Sequence, residues 1–314
     1  MTPNQRQPAL SIVATIFNAE ASLTNFVERC WSVANKLTPE DFEIVLVDDH
    51  SSDDSLSVAL AARERLARIA VVELARNYGQ HLALLAGVRS ARGKLVFCMD
   101  GDGEEDPNWI ASFLEAHEST GADLVIGTNS FKRKSFFYRR ARLIFVRILS
   151  LHNLRAQNET TARLMTRQVA DALTQLTEVN FYFGGVMHDL GFKRKYVSVG
   201  KPDFHPTQYT FRQRMRQALS AITSFSTVPL RLFLIWGLLI STAALTGAIA
   251  LLTLVVLGVL QSGGGWISVL LAVIFFGGNI LFGLGLLGEY FSTIVRESKR
   301  RPQYHVRTFH EVRL

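Results

Sequence analysis

Residues 95–106 read LVFCMDGDGEED, an apolar run that passes directly into a cluster of acids. The run from Leu95 to Met99 is apolar at every position, which predicts a β-strand buried on both faces. Pro107 then opens a helical pattern, and Asp106 stands where a helix cap is expected. The stretch therefore predicts a buried strand, an acidic loop at its carboxyl end, and a helix.

The same alternation of apolar strands and helical patterns extends on both sides of this stretch. Strands are predicted at Leu10–Thr15, Glu43–Val47, Ile69–Leu74, Leu95–Met99 and Leu124–Gly127, and helices at Ser22–Lys36, Asp54–Ala67, Gln80–Ala91 and Trp109–Thr120. Buried strands separated by helices indicate an α/β fold whose mostly parallel sheet is covered on both faces. Ligands bind beyond the carboxyl ends of the strands in such sheets, so the loops after Val47 and Met99 are the expected site.

Paired acids follow both of these strands. Asp100 and Asp102 offer hard oxygen ligands that suit Mg²⁺ or Mn²⁺, and a cation there would offset the charge of a departing diphosphate. An acidic turn that caps the next helix is the alternative, and the spacing alone does not separate the two interpretations. Asp48 and Asp49 come too early to cap a helix, and their oxygens suit a base or a ribose.

The composition indicates that the basic residues of the chain bind a membrane surface rather than nucleic acid. The 314 residues carry a formal net charge of +7, with a pI near 9.6, but no nucleic-acid motif. Segments Phe136–Leu154 and Tyr209–Thr227 are basic and apolar together, which predicts amphipathic interfacial helices; ordinary basic surface helices are the alternative. Cys30 and Cys98 are expected to be buried thiols without a disulfide, and the polar residues 1–8 predict no cleavable signal peptide.

The tract from Leu232 to Gly288 contains no Asp, Glu, Lys or Arg. It divides at residues 261–265, QSGGG, into predicted spans Leu232–Leu260 and Trp266–Leu287, each near or above the ~20 residues that a bilayer requires. Basic residues flank the outer ends, so the positive-inside rule places both termini and the first domain in the cytoplasm, with the protein in the inner membrane. The predicted division is therefore a core at 1–130, an acceptor-side region at 131–228, a transmembrane hairpin at 229–290 and a cytoplasmic tail at 291–314.

Taken together and in order, these motifs resemble the family 2 glycosyltransferases, and within them the polyprenyl-phosphate glycosyltransferases of the dolichol-phosphate mannose synthase group. The matching stretches are Ser11–Asn18, Val47–Asp49, Arg76–Gly79 with Leu85–Gly87, Met99–Asp102, Arg163–Met165, and Thr223–Ser226 before Pro229–Arg231. The resemblance covers nearly the whole chain. It implies a GT-A (Rossmann-like) fold and suggests a homo-oligomer.

The resemblance also implies residue roles. It assigns the nucleotide to Phe17, Asp48, Asp49, Arg76, Asn77 and Asp100, the metal to Asp100, Asp102 and Glu104, and catalysis to Asp100 and Asp102. The resemblance also implies that Arg139, Arg140 and Arg163 bind the acceptor or donor phosphates, because the planar guanidinium group matches the geometry of phosphate oxygens. Binding of lipid headgroups is the alternative for Arg139 and Arg140.

The expected function is inverting transfer of a sugar from a nucleotide sugar to a polyprenyl phosphate, such as undecaprenyl phosphate, at the lipid bilayer. The chain departs from the family at Thr15, Ala19, and Thr161 or Ala162, where Pro and two acidic residues are usual, and in the basic loop at 201–206. These departures leave open a catalytically weak scaffold with the same fold, or another lipid or glycan acceptor. A processive polysaccharide synthase is disfavoured, because that class needs more membrane helices and a Gln-x-x-Arg-Trp motif.

Overall fold

The computed structural model describes residues 7–129, 159–178, 181–200, 228–257, 265–299 and 301–312. These residues belong to two compact units. The first unit contains a sheet with its covering helices, and the second contains two long helices. The predicted interfacial segments, Phe136–Leu154 and Tyr209–Thr227, lie outside the described residues.

The first unit alternates strands and helices along the chain. Its strands are β1 (Leu10–Ile16), β2 (Phe42–Asp48), β3 (Ile69–Leu74), β4 (Leu95–Asp100), β5 (Leu124–Asn129), β6 (Glu159–Thr166), β7 (Arg194–Val199) and β8 (Val306–His310). Its helices are α1 (Glu20–Leu37), α2 (Ser55–Arg65), α3 (Gln80–Ser90), α4 (Trp109–Thr120), α5 (Arg167–Thr174) and α6 (Phe183–Asp189). The strands and helices predicted between residues 10 and 127 are confirmed, with their ends shifted by only a few residues.

Among the described residues, the strands form one sheet in the order β7-β5-β6-β4-β1-β2-β3-β8. Strands β4, β1, β2 and β3 are parallel neighbours, whereas β6 runs antiparallel to β4 and β5, and β8 runs antiparallel to β3. The mostly parallel sheet predicted from the apolar runs is confirmed. Because the four parallel strands point the same way, the loops that follow them lie at one edge.

The core is built from both faces of these strands. Strand β2 is buried at every residue, and α1 packs through Leu23, Phe26, Val27, Cys30 and Ala34, which recur at helical spacing. Helix α3 approaches β1 closely at Gly87, where an added Cβ would lie 2.3 Å from Val13 Cγ1. Cys30 and Cys98 are buried free thiols, as predicted.

The sheet extends beyond residue 130, where the sequence placed the end of the core. Strands β6 and β7 come from the predicted acceptor-side region, and β8 comes from the predicted tail. Val72 pairs with Phe309 across the β3–β8 ladder, and Arg63 donates from Nε and Nη2 to the Glu311 carbonyl at 2.9 and 2.7 Å. The residues after 300 are thus part of the first unit.

The second unit consists of α7 (Val228–Val256) and α8 (Trp266–Ser298). The rings of Phe233 and Phe282 lie 5.8 Å apart between centroids, and a Cβ at Gly283 would fall 2.4 Å from Phe233 Cζ. Considering only the residues that the structure describes, no helix is long and apolar enough to cross a membrane. The transmembrane hairpin therefore stays a prediction from the sequence.

Candidate active site

The loops predicted to carry the site meet at the carboxyl edge of the parallel strands. Ile16 at the end of β1 pairs with Asp48, and Thr15 pairs with Asp100. Two backbone hydrogen bonds continue these ladders into the loops: Asp49 N–H donates to Ile16 O at 3.0 Å, and Gly101 N–H to Thr15 O at 2.9 Å. The strand order therefore places the acids after β2 and β4 on either side of β1.

The two acids after β2 bind backbone and side-chain groups of the protein itself. Asp48 is 1% exposed, and its Oδ1 accepts the Ser51 hydroxyl at 2.6 Å. Asp49 is 3% exposed and accepts the N–H groups of Tyr78 at 2.7 Å and Gly79 at 2.8 Å. Burial raises the pKa of both carboxyls above the ordinary value, while these hydrogen bonds oppose the rise. Their predicted contact with a nucleotide stays a prediction.

Asp100 is held by two neutral side chains. Thr161 Oγ1 donates to Asp100 Oδ2 at 2.9 Å, and Gln80 Nε2 donates to Asp100 Oδ1. Gln80 Nε2 also donates to Thr161 Oγ1, at 3.1 Å. Hydrogen bonds thus connect the end of β4 to Gln80 at the start of α3 and to Thr161 in β6.

Asp102 and Glu104 lie in the exposed turn that follows. Asp102 Oδ1 accepts the Glu104 N–H at 2.9 Å, and Gly103 between them has a φ of +86°, a left-handed conformation that favours glycine. Among the described residues no group of three or more His, Cys, Asp or Glu side chains is gathered to hold a metal. Asp100 is hydrogen-bonded to Gln80 and Thr161, and Asp102 to the backbone of its own turn, so the predicted ligation of a metal by Asp100, Asp102 and Glu104 stays a prediction.

Two carboxylates nevertheless fit the expected cation. Mg²⁺ is usually bound by one or two carboxylates together with waters and substrate phosphates, rather than by a cage of protein ligands. Asp100 and Asp102 supply hard oxygen donors of that kind at the end of one strand. The donor set suits Mg²⁺ or Mn²⁺ completed by a diphosphate.

Glu105 and Gln80 belong to this site, although neither residue is predicted from the sequence to have a role there. Glu105 is fully buried, and its carboxylate accepts the N–H groups of Asp100 at 3.0 Å and Thr161 at 3.2 Å. It joins β4 to β6 at the site, where β4 ends and β6 begins. One signal was available for Glu105: it is the acid between Glu104 and Asp106 to which neither metal ligation nor helix capping was assigned.

The other residues assigned to the nucleotide lie at the surface of the same edge. Phe17 is 51% exposed directly after β1, and Asn77 is exposed in the loop after β3. Arg76 is exposed as well, with its guanidinium carbon 4.7 Å from the centroid of the Tyr78 ring. Ser52 N–H donates to Asn18 Oδ1 at 2.8 Å, which ties the loops after β1 and β2 together.

Arg163 is buried rather than exposed to solvent. It is 6% exposed, and its Nη2 donates to Glu159 Oε2 at 3.0 Å. His188 Nε2 lies 2.8 Å from Glu159 Oε1, and Arg194 Nη1 donates to His188 Nδ1. The predicted grip of Arg163 on a phosphate stays a prediction, and Arg139 and Arg140 lie outside the described residues.

Comparison with known proteins identifies relatives of the whole chain. The family described as glycosyl transferase family 2 matches residues 11–176. The undecaprenyl-phosphate 4-deoxy-4-formamido-L-arabinose transferase of Serratia proteamaculans is 30% identical over 95% of this chain and 92% of its own length. The uncharacterized glycosyltransferase YkoT of Bacillus subtilis is 32% identical over 96% of this chain and 92% of its own.

Solved structures share the fold. The crystal structure of a mycobacterial protein aligns with a TM-score of 0.50 and 18% identity, covering 69% of this chain and 75% of that one. At this identity the likeness concerns the fold alone.

Proposed function

Because this chain belongs to glycosyl transferase family 2, and is therefore a glycosyltransferase, we propose that it transfers a sugar from a nucleotide sugar to a polyprenyl phosphate. The observation that carries the proposal is the position of Asp100 and Asp102 at the carboxyl edge of the sheet, beside the loops after β1 and β2. The relative from Serratia proteamaculans, named for undecaprenyl phosphate, supports that class of acceptor.

Asp100 and Asp102 would hold a Mg²⁺ or Mn²⁺ ion together with the diphosphate of the donor. Such an ion acts as a Lewis acid that offsets the charge on the departing nucleoside diphosphate. The exposed ring of Phe17 offers the nucleoside an apolar surface, and exposed Asn77 offers an amide at the same edge. These residues bind and orient the donor.

The acceptor phosphate would act as the nucleophile. A phosphate monoester is anionic near pH 7, so it can attack the anomeric carbon without a strong general base. A neutral residue, Thr161 or Ala162, stands where an acidic residue is usual in the family, and this is compatible with the chemistry, because such a reaction requires no carboxylate there. A single displacement inverts the anomeric centre, and the enzyme contributes positioning and electrostatic stabilisation.

We place this reaction at the cytoplasmic face of the inner membrane. The uncharged tract at 232–288 and the exposed Leu234, Leu238 and Leu245 of α7 support a membrane hairpin. Strand β8 pairs with β3, so the chain before α7 and the chain after α8 would lie on the same side of the bilayer. This arrangement agrees with two crossings and with basic residues at both outer ends. A homo-oligomer remains part of the proposal.

The test is a transfer assay with membranes that contain the protein. Membranes are incubated with undecaprenyl phosphate and a panel of nucleotide sugars, and any glycolipid is identified by its mass. We expect Asp102→Ala to lower the rate of sugar transfer by about 100-fold or more, because the ion that would stabilise the charge in the transition state then loses one of its protein ligands. Asp106→Asn, in the same loop but paired with Arg29 at 2.7 Å, is the matched control and keeps activity.

Two results would contradict the proposal. Full activity of Asp102→Ala, or activity that a chelator leaves unchanged, would exclude the assigned metal site. Binding of nucleotide without glycolipid formation from any sugar in the panel would favour the scaffold.

A further inference from the structure

The carboxylate of Asp100 sits in a closed set of hydrogen bonds that joins three elements. Cys98 pairs with Arg163 in the β4–β6 ladder, so the same antiparallel register sets Asp100 opposite Thr161. The Thr161 hydroxyl donates to one oxygen of Asp100 at 2.9 Å, and the Gln80 amide donates to the other. Gln80 also donates to Thr161 at 3.1 Å, so each of the three side chains restrains the other two.

The main chain beneath this set is fixed as well. The fully buried carboxylate of Glu105 accepts the N–H groups of both Asp100 and Thr161, at 3.0 and 3.2 Å. The two residues therefore cannot move apart without leaving a buried carboxylate unsatisfied. What remains adjustable is the rotation of the Asp100 side chain, and Gln80 and Thr161 restrain that rotation.

Gln80 is in turn positioned by Asp49. The Asp49 carboxylate accepts the N–H groups of Tyr78 and Gly79, at 2.7 and 2.8 Å, directly before the first residue of α3. Gly79 has a φ of +87°, a left-handed conformation that a side chain would strain. Continuous contacts thus run from the end of β2, through this turn and Gln80, to Asp100 at the end of β4.

We propose that Gln80 and Thr161 are positioning residues that orient the Asp100 carboxylate toward the metal ion of the proposed reaction, and that Asp49 acts on Asp100 through Gln80. This inference rests on the proposed metal role of Asp100. Both donors are neutral, so they orient the carboxylate without cancelling the negative charge that attracts a cation. A carboxylate oxygen has two lone pairs and can accept a hydrogen bond while it ligates a metal. The hydroxyl at position 161 thus gives Asp100 a neutral hydrogen-bond donor.

The experiment measures Mn²⁺ binding to the full-length purified protein by the loss of the free-ion electron paramagnetic resonance signal, with Mn²⁺ alone and with Mn²⁺ plus UDP. Thr161→Val removes the hydroxyl at nearly constant shape, Gln80→Met removes the amide, and Thr161→Ser restores the donor. We expect the first two variants to bind Mn²⁺ about 10-fold or more weakly, as is typical when a residue that orients a metal ligand is removed. Thr161→Ser is expected to bind as the wild type does.

The thermal unfolding midpoint separates positioning from folding. A purely structural role would lower the midpoint and leave the Mn²⁺ affinity of the folded protein unchanged, which would overturn the proposal. Wild-type affinity in both Thr161→Val and Gln80→Met, or the absence of Mn²⁺ binding by the wild type, would also overturn it. Should Mn²⁺ binding respond as expected while no lipid product forms, the proposed function fails and the positioning role stands.

Discussion

At the residue scale, His81 is a largely buried imidazole next to the site. Its Nδ1 atom is buried without a hydrogen-bond partner, and its ring packs edge-on against Tyr182, with centroids 4.8 Å apart. Burial, and then the positive charge of Arg163, lower the pKa of His81 from 6.5 to about 4. The folded protein therefore keeps this side chain neutral at pH values where the unfolded chain binds a proton.

This difference predicts a loss of stability in mild acid. Well above pH 6.5, His81 is neutral in both the folded and the unfolded protein, so it contributes nothing to the pH dependence of stability. As the pH falls from 6.5 to about 4, the unfolded chain binds a proton at His81 that the folded protein does not, and this lowers the free energy of unfolding. We expect a contribution on the order of 2 kcal/mol at the acid end. Between pH 7 and pH 4.5 the melting temperature of His81→Phe should thus fall less than that of the wild type.

The control is His50→Asn at an exposed histidine whose φ of +61° asparagine tolerates. This variant removes a histidine at the surface rather than in the interior, and its melting temperature is compared with that of the wild type at the same two pH values. If His81→Phe and the wild type lost the same number of degrees between the two pH values, His81 would have no such role.

At the element scale, β8 protects the edge of the sheet. It pairs with β3 from Val71 to Leu74, and Ala75 N–H donates to His305 O at 2.9 Å. Without β8, the outer backbone groups of β3 would form an open edge, which is prone to pairing with other chains.

We expect a chain that ends at Tyr304 to melt more than about 4 °C below the full-length protein, because a domain of this size shifts by about 2–4 °C per kcal/mol. Circular dichroism and light scattering measure the melting and any association through the exposed edge. Arg307→Ala is the matched control: its exposed ion pair with Glu73 at 3.1 Å is worth about 1 kcal/mol or less. Equal melting temperatures for the truncated and full-length chains would show that β8 is dispensable.

At the scale of the whole molecule, the pairing of β8 with β3 makes the proposed membrane hairpin testable. If α7 and α8 form a hairpin of two spans, the chain leaves α8 on the side of the bilayer from which it entered α7, as the pairing of β8 with β3 requires. Alkaline phosphatase fused after Gly263 should therefore be active outside the cytoplasm, while a fusion after Leu314 should be inactive. Green fluorescent protein at the same two positions should give the opposite pattern. The same response at both positions would rule out a two-span hairpin.

The first unit was largely predictable from local patterns. Continuous apolar runs such as residues 43–47 indicate strands covered on both faces, and helical spacing between them implies the parallel sheet. The acids after β2 and β4 were correctly expected at one edge, because parallel strands end together. These features depend on side-chain periodicity, which each segment carries within itself.

The hydrogen-bond partners of these acidic residues could be identified only from the tertiary structure. Asp49 meets Gly79 across 30 residues, Asp100 meets Thr161 across 61, and β8 joins a strand more than 200 residues earlier. Strand order and register determine such pairings. The spacing of apolar residues within one segment contains no information about them. For the same reason the sequence could not specify how the carboxylates of Asp100, Asp102 and Glu104 are oriented, because nearness along a loop does not determine the direction in which each carboxylate points. Their role as metal ligands, which the family resemblance implies, stays a prediction.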